Sequence, residues 1–265
     1  MDYKILKYPR TPHLQGSRMH GDDKELCQVP FSEILGKYIV IEEKIDGANS
    51  AVSFNDKGEL LLQSRGHYLT GGYNERHYSL MKQWAVSNIE LFYSALGSRF
   101  IMYGEWMYAK HTVFYDALPD YFLEFDIYDR ERNIFLDSKS RKTITEQIRI
   151  VHSVPVLVQG VFKSKKDILS YLKNSSYITE NHIDVLTRLL KKQGLEVERY
   201  IKETDASLMM EGLYIKVESD GEVKQRVKFV RDSFYQRDVA LQDDWQRKPI
   251  IPNQLAVNQN RIKEE

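Results

Sequence analysis

Lys44 stands in the run Glu42-Glu43-Lys44-Ile45-Asp46-Gly47, an amine among carboxylates with a glycine close behind. The apolar, β-prone stretch Tyr38-Ile39-Val40-Ile41 predicts a buried strand that ends at Lys44, followed by a tight turn. An amine in that setting is either a capped surface charge or a nucleophile. As a nucleophile it must be neutral, yet an unperturbed lysine, with a pKa of about 10.4, is almost wholly protonated at neutral pH. Burial or a nearby cation lowers that value, and neighbouring acids raise it unless a metal screens them. A working Lys44 therefore predicts a divalent metal, held directly or through water by Asp46 and other carboxylates.

The spacing Lys-x-Asp-Gly arises often by chance. An ordered set of candidates follows it: Arg65 in Ser64-Arg65-Gly66, Glu105 in Tyr103-Gly104-Glu105-Trp106, Phe125 beside Asp126, Glu211 before Gly212, and Arg226 and Lys228 two residues apart. Each has an ordinary account: Glu105 as a capped strand end, Phe125 as a core residue, Lys228 as the outward position of an alternating strand. The combination in this order is harder to dismiss.

The elements that must position these residues are short strands and turns. Ala51 to Ser64 reads as a hairpin around Asn55-Asp56-Lys57-Gly58. A helix is expected from about Glu75 to Leu96, with Leu80, Trp84, Asn88 or Ile89, and Phe92 near one face and Gly97 as its cap. Strands follow at Arg99–Trp106, at Tyr121–Asp129 with Asn133–Asp137, and at Val154–Gly160. From Lys163 to Lys202 the period becomes helical: Ser164 and Asp167 are spaced as a capping box, and Ile183, Leu186, Leu189 and Leu190 repeat along one face. Lysines on the outside of this insert are either a solvated face or an RNA contact. A last hairpin turns at Asp220-Gly221. Together these give an α+β fold, antiparallel β-sheets with flanking helices: one domain over residues 1–240 with a helical insert at about 163–202, and a short tail over 241–265.

The 38 Lys and Arg balance the 38 Asp and Glu, so net charge does not advertise a non-specific nucleic-acid coater, though a local basic groove stays open. The single cysteine, Cys27, allows no internal disulfide or cysteine cage. No stretch approaches the roughly 18–20 apolar residues of a membrane span, and the N-terminus lacks the apolar core of a secretory signal. A cytoplasmic location with no membrane partner is expected. Arg10, His13 and Arg18 lie in a Pro- and Gly-containing first segment, read either as a wrap or as a phosphate contact.

These residues resemble the ordered motifs of the covalent nucleotidyltransferase superfamily, which includes ATP-dependent DNA and RNA ligases and mRNA capping enzymes. Its first motif matches Glu43–Gly47, and the later ones match Ser64–Gly66, Tyr103–Trp106, Phe122–Asp129, Glu211–Lys216 and Arg226–Phe229, within a span of about Ile39 to Val230. Asn49, close behind the lysine, and the tight Tyr103–Trp106 motif make the chain most similar to RNA ligases of the RNA ligase 2 type.

The resemblance implies an ATP-grasp-like ligase adenylation domain in which Lys44 attacks the α-phosphate of ATP and carries AMP. It implies that Glu43 (or Glu42), Asn49, Arg65, Glu105 and Phe125 bind the nucleotide, Phe125 by stacking on adenine. Asp46 and Glu211 would hold Mg²⁺ or Mn²⁺, and Arg226 and Lys228 would draw charge off the phosphate. The implied substrate is RNA ends, a nicked duplex among their forms, in RNA repair, and there is room for an end-healing kinase or phosphatase as partner. Two departures stand out. Arg226 replaces one of the two lysines expected in the last motif, and only a tail follows where a barrel or helical domain is usual, so a minimal catalytic module is expected. A DNA ligase, a GTP-using capping enzyme and a non-catalytic module that binds nucleic-acid ends remain the alternatives.

Overall fold

A computed structural model of the chain describes residues 4–19, 28–234 and 249–256. β1 (Tyr38–Lys44) buries five consecutive residues, Ile39 to Glu43, as a central strand with both faces covered must. It pairs antiparallel with β8 (Val156–Val161) on one side and β9 (Gly212–Ser219) on the other, and β10 (Glu222–Val230) completes the four-stranded sheet β10-β9-β1-β8. After Ile45–Gly47 the chain enters a second sheet through β2 (Ala48–Phe54). Its order is β3-β2-β4-β5-β6, with β3 at Leu60–Ser64, β4 at Phe100–Trp106, β5 at Phe122–Asp129 and β6 at Ile134–Phe135, and β7 (His152–Ser153) pairs parallel with β5. One turn of three residues thus carries the chain from sheet to sheet directly after Lys44.

Local chemistry sets the expected hairpins. Asn55 Oδ1 accepts from the amides of Lys57 and Glu59 (3.0 and 2.9 Å) in the β2–β3 turn. Asp220 and Gly221 both have positive φ, 56° and 78°, the pair of left-handed residues that matches the twist of a two-residue hairpin. The helix expected over Glu75–Leu96 differs: a 3-10 segment at Tyr73–Tyr78 precedes α1 (Ser79–Ser87) and α2 (Ile89–Leu96). Between them Asn88 leaves helical geometry at φ −124°, and its side-chain amide donates to the Trp84 carbonyl (2.8 Å), the competition with the backbone that makes Asn a helix breaker. The break resets the buried face, so Met81, Ala85, Phe92 and Leu96 are buried while Leu80 and Ile89 are exposed.

α3 (Ser138–Thr145) is capped by Asp137, whose carboxylate accepts from the Ser140 amide (2.8 Å). The insert forms α4 (Lys165–Leu169), α5 (His182–Lys192) and α6 (Val197–Lys202), and Ser164 caps α4 by accepting from the Asp167 amide. Residues 249–256 pack back onto the domain, with Ile251 and Asn253 buried and both ends exposed. Asn253 is fully buried, donating to the Met107 carbonyl (2.6 Å) and accepting from the Tyr115 amide (3.0 Å). Cys27 and most of the expected tail lie outside the described residues. Among those residues no helix is long and apolar enough to cross a membrane.

Candidate active site

The two sheets face each other across a cavity of about 160 Å³ lined from both sides. The first sheet contributes Glu42, Glu43 and Lys44 from β1, Tyr214 from β9 and Lys228 from β10. The second contributes Asn49, Glu105 and Phe125, with Arg65 just past β3, and Tyr8, Pro9 and Thr11 of the N-terminal segment close one side. Of the residues expected from sequence, the structure gathers Glu43, Lys44, Asn49, Arg65, Glu105, Phe125 and Lys228 around one space. Glu211 meets it through Lys44, whose amine lies 2.7 and 2.8 Å from the two oxygens of that carboxylate.

At Gly47 the turn after Lys44 has no room for a side chain. A Cβ on Gly47 would come within 2.6 Å of Met107 Sδ and 2.9 Å of the Trp106 carbonyl oxygen. The Gly47 amide instead donates to Glu105 Oε1 (3.2 Å), joining the lysine turn to β4. Gly212, one residue past Glu211, lies so close to the Phe229 carbonyl that a side chain there would strike backbone.

Asp46 is buried, and its Oδ2 accepts from the amides of Thr112 and Val113 (2.8 and 3.0 Å). One oxygen of this expected metal ligand therefore fastens the turn to the 112–113 loop. Arg226 is not among the residues lining the cavity. Its Nε donates to Asp126 Oδ2 (3.0 Å), and its guanidinium sits 3.7 Å from the centre of the Phe135 ring.

The electrostatics follow from crowding acids in a buried place. Burial pushes the Glu105 carboxyl up to about 8 and the Glu211 carboxyl up to about 7, each against the pull of Lys44. Burial also lowers the Lys44 amine, but Glu211, Glu105 and Asp46 together outweigh it and hold the amine above its ordinary value. The amine is thus held as an ammonium by the acids around it, and it becomes a nucleophile only when their pull is offset. Among the described residues no three His, Cys, Asp or Glu side chains are placed to hold a metal ion between them. The donor set suits a hard cation that takes one or two carboxylates and fills its remaining positions from phosphate and water, as Mg²⁺ does. Asn49 adds a second sign of a ligand: its Oδ1 is buried and has no hydrogen-bond partner.

Behind the cavity wall lies a buried ionic cluster that sequence reasoning did not single out. Lys216 is 2.8 Å from Glu42 and 3.1 Å from Asp126, while Arg141 reaches Glu42 (2.5 Å) and Glu124 (3.3 Å). Both Arg141 and Lys216 donate to the Phe125 carbonyl. Burial pushes the Asp126 carboxyl up, but Lys216, Arg226 and Arg141 outweigh it and hold it at about 2. Tyr8 donates to the same Asp126 and packs edge-on to Phe125, ring centres 5.1 Å apart. Alternation marks only part of this cluster: Tyr214 and Lys216 share one face of β9, but a register shift at Phe125 sets Glu124 opposite Gly104 and Asp126 opposite Tyr103, which breaks the period-2 pattern in β5.

A lysine at the mouth of the turn joining two antiparallel sheets, with motif residues of both sheets around it, defines the nucleotidyltransferase fold. The chain belongs to the RNA ligase family: the family model described as RNA ligase matches residues 37–230. No curated protein matches the sequence. Among solved structures, two variants of Naegleria gruberi RNA ligase with ATP and Mn are similar at 14% and 16% identity, with TM-scores of 0.51 and 0.52. Each match covers 86% of this chain, which spans 57% of the length of those proteins.

Proposed function

We propose that the chain is an ATP-dependent RNA ligase that joins 5′-phosphate and 3′-hydroxyl RNA ends through a covalent Lys44–AMP intermediate and an adenylylated RNA end, in RNA repair. The observation that carries this reading is the Lys44 amine, 77% of whose side chain is covered, paired to Glu211 at the edge of a two-sheet cavity. ATP and Mn accompany the similar Naegleria gruberi structures, which supports ATP as the donor and a divalent ion beside it.

In the first step Lys44 Nζ, having lost a proton, attacks the α-phosphorus; an N–P bond forms, and the bond from that phosphorus to the pyrophosphate oxygen breaks. The proton leaves Lys44 for water once positive charge at the site offsets Glu211, Glu105 and Asp46, the groups that hold it on the amine. Lys228 faces the cavity and draws charge off the phosphate, while the charge of Arg226 is met by Asp126 behind the wall, where the pair braces β10 against β5. Phe125 stacks on the base, Glu43 and Asn49 supply polar contacts to the nucleotide, and Glu105 and Arg65 hold ribose and phosphate oxygens. A bound Mg²⁺ or Mn²⁺ supplies charge that offsets the carboxylates and polarises the phosphate, with Glu211 and the remaining oxygen of Asp46 as the protein groups nearest to hand.

The test is incubation with α-labelled ATP or GTP and a divalent ion, read on a denaturing gel beside Lys44→Ala. A covalent label from ATP, absent in the variant, is expected, followed by sealing of RNA ends. Label from GTP alone would redirect the reading to capping chemistry. Preference for DNA ends would make the chain a DNA ligase, and no label from folded protein would favour a module that only binds ends.

A further inference from the structure

The helical insert carries charge that the nucleotide reaction does not use. Between Lys163 and Lys202 there are nine Lys and Arg against five Asp and Glu, in a chain whose charges cancel overall. On α5, Arg188, Lys191 and Lys192 are exposed while Leu186 and Leu190 of the same helix are buried. Residues at i, i+3 and i+4 share one helix face, so these three cations form one patch. Among the described residues none of their side chains has an ion-pair or hydrogen-bond partner, and the same holds for exposed Lys163, Lys166 and Lys202.

The insert is fastened to both walls of the lysine site. Ahead of Glu211, the Met210 amide donates to the Lys173 carbonyl (3.1 Å) and the Ser175 amide to the Leu208 carbonyl (2.8 Å). Just past α6, the Asp205 amide donates to the carbonyl of Thr112, the residue whose own amide holds Asp46. Its basic surface is therefore tied to the segment that carries Glu211 and to the loop that holds Asp46.

We propose that the exposed basic face of this insert, centred on Arg188, Lys191 and Lys192, docks the phosphate backbone of the RNA strand whose end is sealed. The inference rests on the ligase reading above and assigns it a substrate surface. Phosphate contacts of this kind position a strand without reading its sequence, and their strength falls with salt as bound counterions are released.

The test compares the wild-type chain with Arg188→Glu/Lys191→Glu/Lys192→Glu and with a control of equal charge change at exposed positions elsewhere, Lys37→Glu/Lys57→Glu/Lys139→Glu. Adduct formation with labelled ATP is expected to be unchanged in both variants, which reports folding and the nucleotide step separately. The insert variant is expected to bind single-stranded RNA about 10-fold or more weakly at low salt and to seal ends poorly. Its slope of log affinity against log salt should fall by about 2, since each lost phosphate contact removes about 0.7. The control should keep wild-type affinity and slope. Unchanged RNA binding in the insert variant, an equal loss in the control, or no RNA binding by adduct-forming wild type would each overturn the docking surface. Failure of wild type to form an adduct would instead sink the ligase reading.

Discussion

The two oxygens of Glu211 lie 2.7 and 2.8 Å from the amine of Lys44, so the proposed nucleophile rests in an ion pair that keeps it protonated. Burial alone would push the amine down, but Glu211, Glu105 and Asp46 reverse the sign. Because the neutral amine is then scarce at pH 7 and grows with each pH unit, the rate of adduct formation at ATP well below KM, which reports the free protein, should rise from pH 6 to pH 9. Single-turnover labelling across that range checks this. A flat or falling profile would remove the protonated-lysine account.

Phe125 shows how the cavity wall is stiffened. Its ring lies edge-on to Tyr8, and its carbonyl is held by Arg141 and Lys216 together. Phe125→Leu keeps an apolar side chain of similar bulk but removes the aromatic face, which is worth about 1 kcal/mol in a stacked pair. The expected outcome is a KM for ATP raised about 5-fold, with the urea midpoint little changed. An unchanged KM would remove the stacking role.

The ionic cluster behind that wall predicts a large stability effect from one residue. Arg141 serves Glu42, Glu124 and the Phe125 carbonyl, with its side chain only 4% exposed. Removing one partner of a buried ion pair costs about 3–5 kcal/mol because the other charge is left uncompensated. Arg141→Met should lower unfolding free energy by about that amount, measured by urea titration. Arg141→Met/Glu124→Met, which removes one charge of each sign, should recover part of the loss.

Much of this site was legible because it is made of strand ends with chemically distinctive residues. Lys44 and Glu105 end strands that open on continuous apolar runs, Lys228 sits on an alternating one, and Asp220-Gly221 specifies its own turn. What escaped the sequence was long-range pairing. Nothing near Arg141 in the chain says that it reaches Glu42, 99 residues away, and nothing near Tyr8 says that its hydroxyl meets Asp126 across 118. The helix break at Asn88 was missed for a local reason, since periodicity from Leu80 to Phe92 reads smoothly across a residue whose side chain competes for the backbone. Arg226 was read by its place in a motif, and the sequence could not show that Asp126 and Phe135 hold it behind the wall.

Glu43 predicts how stability depends on pH. It is buried beside Lys44, and burial pushes its carboxyl up to about 7 from an ordinary 4.5, against the lowering effect of Ser175 and Ser176. A raised folded-state pKa means the native chain binds this proton more tightly than the unfolded chain does. The contribution is therefore fully present below the unfolded value and is lost as pH rises from about 4.5 through 7. Between pH 5 and pH 8 the loss from this one group is about 2.5 kcal/mol. Glu43→Gln cannot ionise, so its unfolding free energy should fall less than that of the wild type over the same interval, with the two closest at pH 5. Urea titrations at pH 5, 6.5 and 8 check this, and parallel pH profiles for the two proteins would show that Glu43 is not the buried acid that titrates.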